Sequence, residues 1–209
     1  MNKTIVIALT GASGTIYGQH LLREAIRHFE RIGLILSPTV PILAERELGL
    51  TLRPGLPAAE QLLAPWWDEE VAALCTARVR EYDVEDFSAP FASGSNAADA
   101  VAIVPCSQDT LARLAAGLAD NLITRAAAVA LKERKPLVVV PRETPVSLLH
   151  LRNWTALAEA GAVILPACPA FYHRPQTIDE LVRAVTERIL AHLGVPPEAR
   201  TIRWGDDMV

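Results

Sequence analysis

The chain has 209 residues, 51% of them apolar and 21% charged, with 20 basic against 24 acidic side chains and a formal charge of −4. A chain of this size buries roughly 70% of its unfolded surface, so it needs no covalent or metal staples, and the composition excludes disordered and fibrous classes. The mild acidity leaves no broad cationic face, so no nucleic-acid partner is expected, although a small cationic pocket for a phosphate is compatible with it.

Residues 3–10 (KTIVIALT) open the chain as a β-branched, almost continuous apolar run, the pattern of a strand covered on both faces. A helix over 17–31 follows, with Leu21, Leu22, Ala25, Ile26 and Phe29 on one stripe. A second strand is predicted at 33–37. The stretch 51–86, rich in proline and carrying Trp66-Trp67, is the least regular; it reads as a helical insertion or an oligomer contact, not a second domain. Further strands are predicted at 100–105, 136–141 and, shorter, 162–166. Helices are predicted at 147–160 and 177–193, the latter opened by a Thr177/Glu180 capping box. Strands alternating with helices give an α/β fold: a Rossmann-like, flavodoxin-type doubly wound parallel sheet flanked by helices. Residues 1–209 then form one domain, with 195–209 as a tail lying on the surface or on a neighbouring subunit.

Cys75, Cys106 and Cys168 are odd in number, widely spaced and without a CxxC pair, which argues against a disulfide framework and for a reducing compartment. No zinc spacing joins them to His20, His28, His150, His173 or His192, so no metal is expected. The apolar runs are too short for a bilayer, and no signal-peptide core precedes the first strand. A cytoplasmic, membrane-free protein is the expectation.

Ligands of such sheets bind at the carboxyl ends of the strands, where the unusual residues stand. Gly11 to Gly18 (GASGTIYG) follows the first strand; glycines there let backbone N–H groups approach an anion at a helix N-terminus, or simply make a tight turn. The spacing is neither GxGxxG nor GxxxxGK, and the second strand ends in Ser37 instead of an acid, which disfavours a dinucleotide. Cys106-Ser107-Gln108-Asp109-Thr110 follows the 100–105 strand: Ser107 or Asp109 caps a helix, or the small hydroxyls take phosphate oxygens, while Cys106 packs. Arg142-Glu143 follows the 136–141 strand, either as a mutual ion pair or as a phosphate grip beside a proton carrier. Lys132, Arg134 and Lys135 read by default as a solvated helix end, and Arg188 as a surface charge. The segment 166–175 (PACPAFYHRP) is too aromatic for a casual loop. The small loop Ala92-Ser93-Gly94-Ser95-Asn96 suits close approach to a flat ligand, or a linker.

Taken in order, GASGTIYG at 11–18, the Ser37 strand end, Glu47, ASGSN at 92–96, VPCSQDTL at 104–111, DNLITRAAAVALKERKPLVVVPRETP at 120–145, PAFYHRPQTIDELV at 169–182 and the Arg203-Trp204 pair resemble the flavin prenyltransferases of the UbiX type. The resemblance implies an enzyme that prenylates reduced FMN with dimethylallyl phosphate at N5 and C6, without a metal. The product, prenylated FMN, would serve a UbiD-type decarboxylase, and the enzyme would assemble through trimers into a homo-oligomer, a dodecamer. It further implies that Gly11, Ala12, Ser13, Ser37, Ser107, Gln108, Asp109, Thr110, Arg125 and Arg142 hold FMN. Lys132, Arg142, Tyr172 and Arg188 would grip the dimethylallyl phosphate, and Ser13, Glu47 and Glu143 would assist prenyl migration and loss of the C6 proton. Phe87, Trp204 and Tyr172 would wall the allyl cation. The sequence departs from the family pattern at Pro38, Phe87 and Asn96. Two other readings are a non-catalytic FMN-binding accessory subunit of a decarboxylase and a flavin-dependent cysteine decarboxylase, which would use a histidine near the first helix.

Overall fold

The computed structural model describes residues 3–196. In chain order the elements are β1 (Thr4–Leu9), α1 (Thr15–His28), β2 (Arg31–Leu36), α2 (Val40–Leu48), α3 (Ala58–Leu63), α4 (Glu69–Arg78), β3 (Val79–Tyr82), β4 (Ala100–Cys106), α5 (Gln108–Ala115), α6 (Leu122–Lys132), β5 (Leu137–Pro141), α7 (Leu148–Glu159), β6 (Val163–Ile164) and α8 (Ile178–His192). Among the described residues the strands form one sheet in the order β3-β2-β1-β4-β5-β6, every pair parallel. This is the doubly wound α/β arrangement that the strand–helix alternation implies.

Both faces are covered, which explains why the inner strands are apolar throughout. Ile5, Ile7 and Leu9 point into one cluster with α1, α3, α4 and α8; Val6 and Ala8 point into the other with α5, α6 and Leu157 of α7. Ile5, Ile7 and Leu9 are fully buried, and each such side chain contributes roughly 1.5–3 kcal/mol of apolar transfer. Gly18 lets α1 lie directly on the sheet. A Cβ there would come within 2.5 Å of the Val104 carbonyl oxygen and 2.7 Å of Leu9, so a side chain would force helix and strand apart.

Several boundaries differ from the periodicity. Helix α1 stops at His28, because Phe29 takes an extended conformation and Arg31 already pairs with Thr4 of β1. The stretch 51–86 is helical as expected, but it also ends in β3, an edge strand whose two central residues are charged and which therefore shows no apolar run. Ala59, Leu62, Leu63, Val71 and Cys75 from the same stretch are core residues. Thr177 caps α8 by accepting from Glu180 N at 3.2 Å. The Glu180 carboxylate, however, accepts from Gln176 N, one residue before the cap, so the reciprocal half of the capping box is shifted. The tail expectation for 195–209 falls almost wholly outside the described residues. Val195 is described, and it is buried.

Candidate functional site

The connections leave β1 and β4 toward opposite sides of the sheet, so a crevice opens above the carboxyl ends of these two neighbours. Thr10, 1% exposed, ties its walls together. Its hydroxyl donates to the Pro105 carbonyl at 2.9 Å and accepts from Ser107 N at 2.7 Å. A cleft of about 510 Å³ lies beside it, with Gly11, Ser37, Thr39, Ser107 and Thr110 on its walls. Ser37 and Thr39 share a hydrogen bond of 3.0 Å. Ser107 is the N-cap of α5, accepting from Thr110 N at 3.2 Å and donating to the Thr110 hydroxyl at 3.0 Å. The capping and ligand-facing readings of Ser107 are therefore compatible: one hydroxyl caps the helix on the wall of the cleft.

Among the described residues, Arg113 is the one cation on the cleft wall, against the carboxylates of Glu85, Asp109 and Asp120, and it is already engaged. Arg113, which sequence reasoning did not single out, pairs with Asp109 at 3.0 Å and with Asp120. Asp109 thus braces an arginine. Pro38 follows Ser37 and lines the cleft without a charge, so hydroxyls and the amide end of α5 are what remain for an anion. Gln108 accepts from Trp154 Nε1 at 3.1 Å, while its own Nε2 is buried with no hydrogen-bond partner.

Next to the cleft, the start of α1 gathers Ser13, Glu47 and Arg142. The Glu47 carboxylate accepts from Gly14 N and Thr15 N, both at 2.9 Å, with the Ser13 hydroxyl beside it. Partial burial pushes the Glu47 carboxyl up, but these hydrogen bonds together hold it below its ordinary range. Glu47 is therefore the anion at this helix N-terminus, taking the N–H groups of Gly14 and Thr15. Gly14 enables the geometry with φ +112°, a left-handed conformation that other residues rarely take. Arg142 donates from Nε to the Ser13 carbonyl at 2.9 Å. It forms no ion pair with Glu143, which instead accepts from Thr144 N at 3.1 Å. Tyr17 is a further neighbour that the sequence reading passed over. Burial raises its pKa, the nearby Cys168 adds to this, and Arg142 opposes it. Cys106 is fully buried, and burial pushes its thiol far up, so it packs as expected.

Other expected site residues are not brought here within one chain. Lys132 ends α6, where its Nζ pairs with Glu133 at 2.6 Å and occupies the space a side chain on Gly94 would need. Arg142 follows the far end of β5, and the five residues of that strand separate the two levels by about 17 Å. Arg125, also on α6, donates to the Ala92 carbonyl at 2.9 Å. The Ala92–Asn96 loop therefore runs along α6 and not over the crevice. Arg188 is exposed on α8, about 13 Å along the helix from Asp179, whose carboxylate meets His20 at 3.2 Å. Tyr172 is 42% exposed and meets His173 edge to face at 5.7 Å. Phe87 is exposed too; Arg203 and Trp204 lie outside the described residues.

The family described as Flavoprotein matches residues 1–190. A flavin prenyltransferase UbiX of Pseudomonas aeruginosa is 43% identical over 204 residues, covering 98% of this chain and 95% of that one. The crystal structure of AnUbiX in complex with FMN and dimethylallyl pyrophosphate superimposes with a TM-score of 0.80 at 35% identity, over 98% of both chains. A dodecameric FMN-dependent UbiX-like decarboxylase from Escherichia coli O157:H7 gives 0.77 at 32% identity, over 96% of this chain and 98% of that one. With its fold and nearly its whole length shared in this way, the chain belongs to the flavoprotein family and, within it, to the UbiX flavin prenyltransferases.

Proposed function

We propose that this protein transfers the dimethylallyl group of dimethylallyl phosphate to N5 and C6 of reduced FMN, giving prenylated FMN for a UbiD-type decarboxylase. The observation that carries this reading is the joining of Ser13, Glu47 and Arg142 at the start of α1, beside a hydroxyl-lined cleft. The donor set fits FMN. Ser37, Ser107 and Thr110 with Gly11, Ala12 and the α5 amide end suit a phosphate ester and a ribityl chain. The unpartnered Nε2 of Gln108 is a donor in need of an acceptor. Asp109 acts by bracing Arg113. FMN, when bound in its reduced form, supplies the nucleophilic nitrogen and carbon; the protein supplies position, charge and proton acceptors.

Arg142 is held by Ser13 for a phosphate contact, and its fork matches two phosphate oxygens. Glu47 stays ionised at neutral pH and keeps its proton-accepting oxygens beside Ser13; Glu143 is the second carboxylate, one residue from Arg142. A dianionic leaving group needs more than one cation. Lys132 and Arg188 sit away from Arg142, and Arg125 and Tyr172 are exposed, so neighbouring subunits of a homo-oligomer, a dodecamer in this reading, bring them to the site. Residues 1–209 act as one FMN-binding unit. No helix among the described residues is long and apolar enough to cross a membrane, and the enzyme works in the cytoplasm in this reading. A catalytic histidine of the cysteine-decarboxylase kind is not supported: His20 is 4% exposed and closed off by Trp66 and Asp179.

The test is anaerobic incubation with reduced FMN and dimethylallyl phosphate, followed by the mass of the extracted flavin. The expected result is a gain of one C5H8 unit, lost in Arg188→Ala. Flavin that binds tightly but is alkylated by neither the phosphate nor the pyrophosphate donor would overturn the reading in favour of an accessory subunit.

A further inference from the structure

A second cavity lies at the other end of the sheet. It measures about 490 Å³ and is built from the first residues of β1 and β2, the edge strand β3 and the turns around residues 90–97. Three arginines line it, Arg31, Arg78 and Arg80, and no Asp or Glu does. Among the described residues, none of the three arginines has a carboxylate within ion-pair distance. The remaining ion pairs engage Arg23, Arg27, Arg113, Lys132, Lys135 and His20. In a chain with an excess of acids, three arginines left without carboxylates around one hollow stand out.

Each arginine is held in place by a neutral partner. Arg31 donates from Nε to the Thr4 hydroxyl at 2.9 Å. Arg78 donates to the Ile26 and Phe29 carbonyls at 3.0 and 3.3 Å, at the end of α1. Arg80 stands 5.5 Å over the Tyr82 ring, which meets Phe91 edge to face at 4.9 Å. Phe91 in turn packs on Gly33, where a Cβ would come within 2.8 Å of its ring. The hollow therefore has positive charge without carboxylate partners on one side and the aromatic side chains of Tyr82 and Phe91 on the other.

We propose that this hollow is a binding site, separate from the crevice, for a small phosphate monoester whose apolar part rests on Tyr82 and Phe91. Three guanidinium groups match a dianion, and Arg–phosphate contacts are strong because they pair two N–H groups with two oxygens. A volume of this size suits a small molecule.

Phenyl phosphate is the probe, titrated calorimetrically into the FMN-loaded oligomer. The expected result is a class of sites whose affinity falls at least tenfold in the doubly substituted Arg31→Gln/Arg80→Gln protein. Both arginines are exposed, so the fold tolerates the change, and prenyl transfer stays at the wild-type rate. Inorganic phosphate, lacking the ring, binds the same sites more weakly, and Arg80→Gln alone gives an intermediate loss. Equal binding by wild type and variant would overturn the proposal. So would a variant that keeps the probe but changes its subunit number, because the arginines would then serve contacts between copies.

Discussion

Glu47 offers the sharpest test of the site's electrostatics. Replacing it by Gln keeps the shape and one acceptor oxygen but removes the charge that faces Gly14 N and Thr15 N at 2.9 Å. Anions at a helix N-terminus contribute about 0.3–1 kcal/mol through the helix dipole, and a lost cap costs about 1 kcal/mol. Glu47 is exposed, so solvent screening keeps the loss at about 1 kcal/mol for Gln. For a domain of this size that lowers the melting temperature by about 2–4 °C. The pH dependence has a definite sign. The folded-state pKa of Glu47 lies below its ordinary value, so its stabilisation is complete above the unfolded carboxyl range and disappears as pH falls through the folded pKa. Thermal unfolding of the wild type and Glu47→Gln, followed from about pH 7 down to about pH 3, should show a gap that closes on acidification. A Gln variant that melts with the wild type at neutral pH, or a gap that widens in acid, would refute the argument.

The other predictions concern the crevice, the core and the shared site. Thr10→Val leaves Ser107 N without its acceptor and should cost about 1–3 kcal/mol, read in thermal unfolding, with weaker FMN binding read by quenching of flavin fluorescence. Burial lowers the His20 pKa, with Arg23 adding to this and Asp179 opposing it. The wild type should therefore lose stability as pH falls below the ordinary histidine value, and His20→Gln should flatten that slope in a pH series of melts. Lys132→Ala and Arg142→Ala should each be inactive alone; after mixed reassembly, activity should return to about a quarter of wild type, because a randomly mixed symmetric oligomer joins intact halves at that frequency. No recovery in verified mixed oligomers would place both residues in the same chain's site.

The sequence carried the inner strands because burial on both faces leaves a continuous apolar signature, as in β1 and β5. It did not carry β3, an edge strand with the charged Arg80 and Glu81 at its centre, nor the brevity of β6. At the site, Ser37 and Ser107 were legible as hydroxyls at strand ends. The Glu47 contact was not, because it joins residues 33 apart in sequence, and no local pattern reports which side chain will fill a helix N-terminus. The same holds for Arg113, whose two carboxylate partners meet it only once α5 and the turn before α6 are folded. Lys132 and Arg142 stand ten positions apart in the chain. Only the parallel course of β5 sends them to opposite ends of the sheet.

The two outer strands have a consequence for how copies of the protein meet. At one border, β3 is four residues long with charge in its middle, and at the other β6 has two residues. Neither offers a long, flat row of open amides for a foreign strand to zip onto. Association is left to side-chain surfaces such as the exposed Leu148, Leu149 and Leu151 of α7. Pairing of outer strands between copies is therefore a poor route to fibres for this protein.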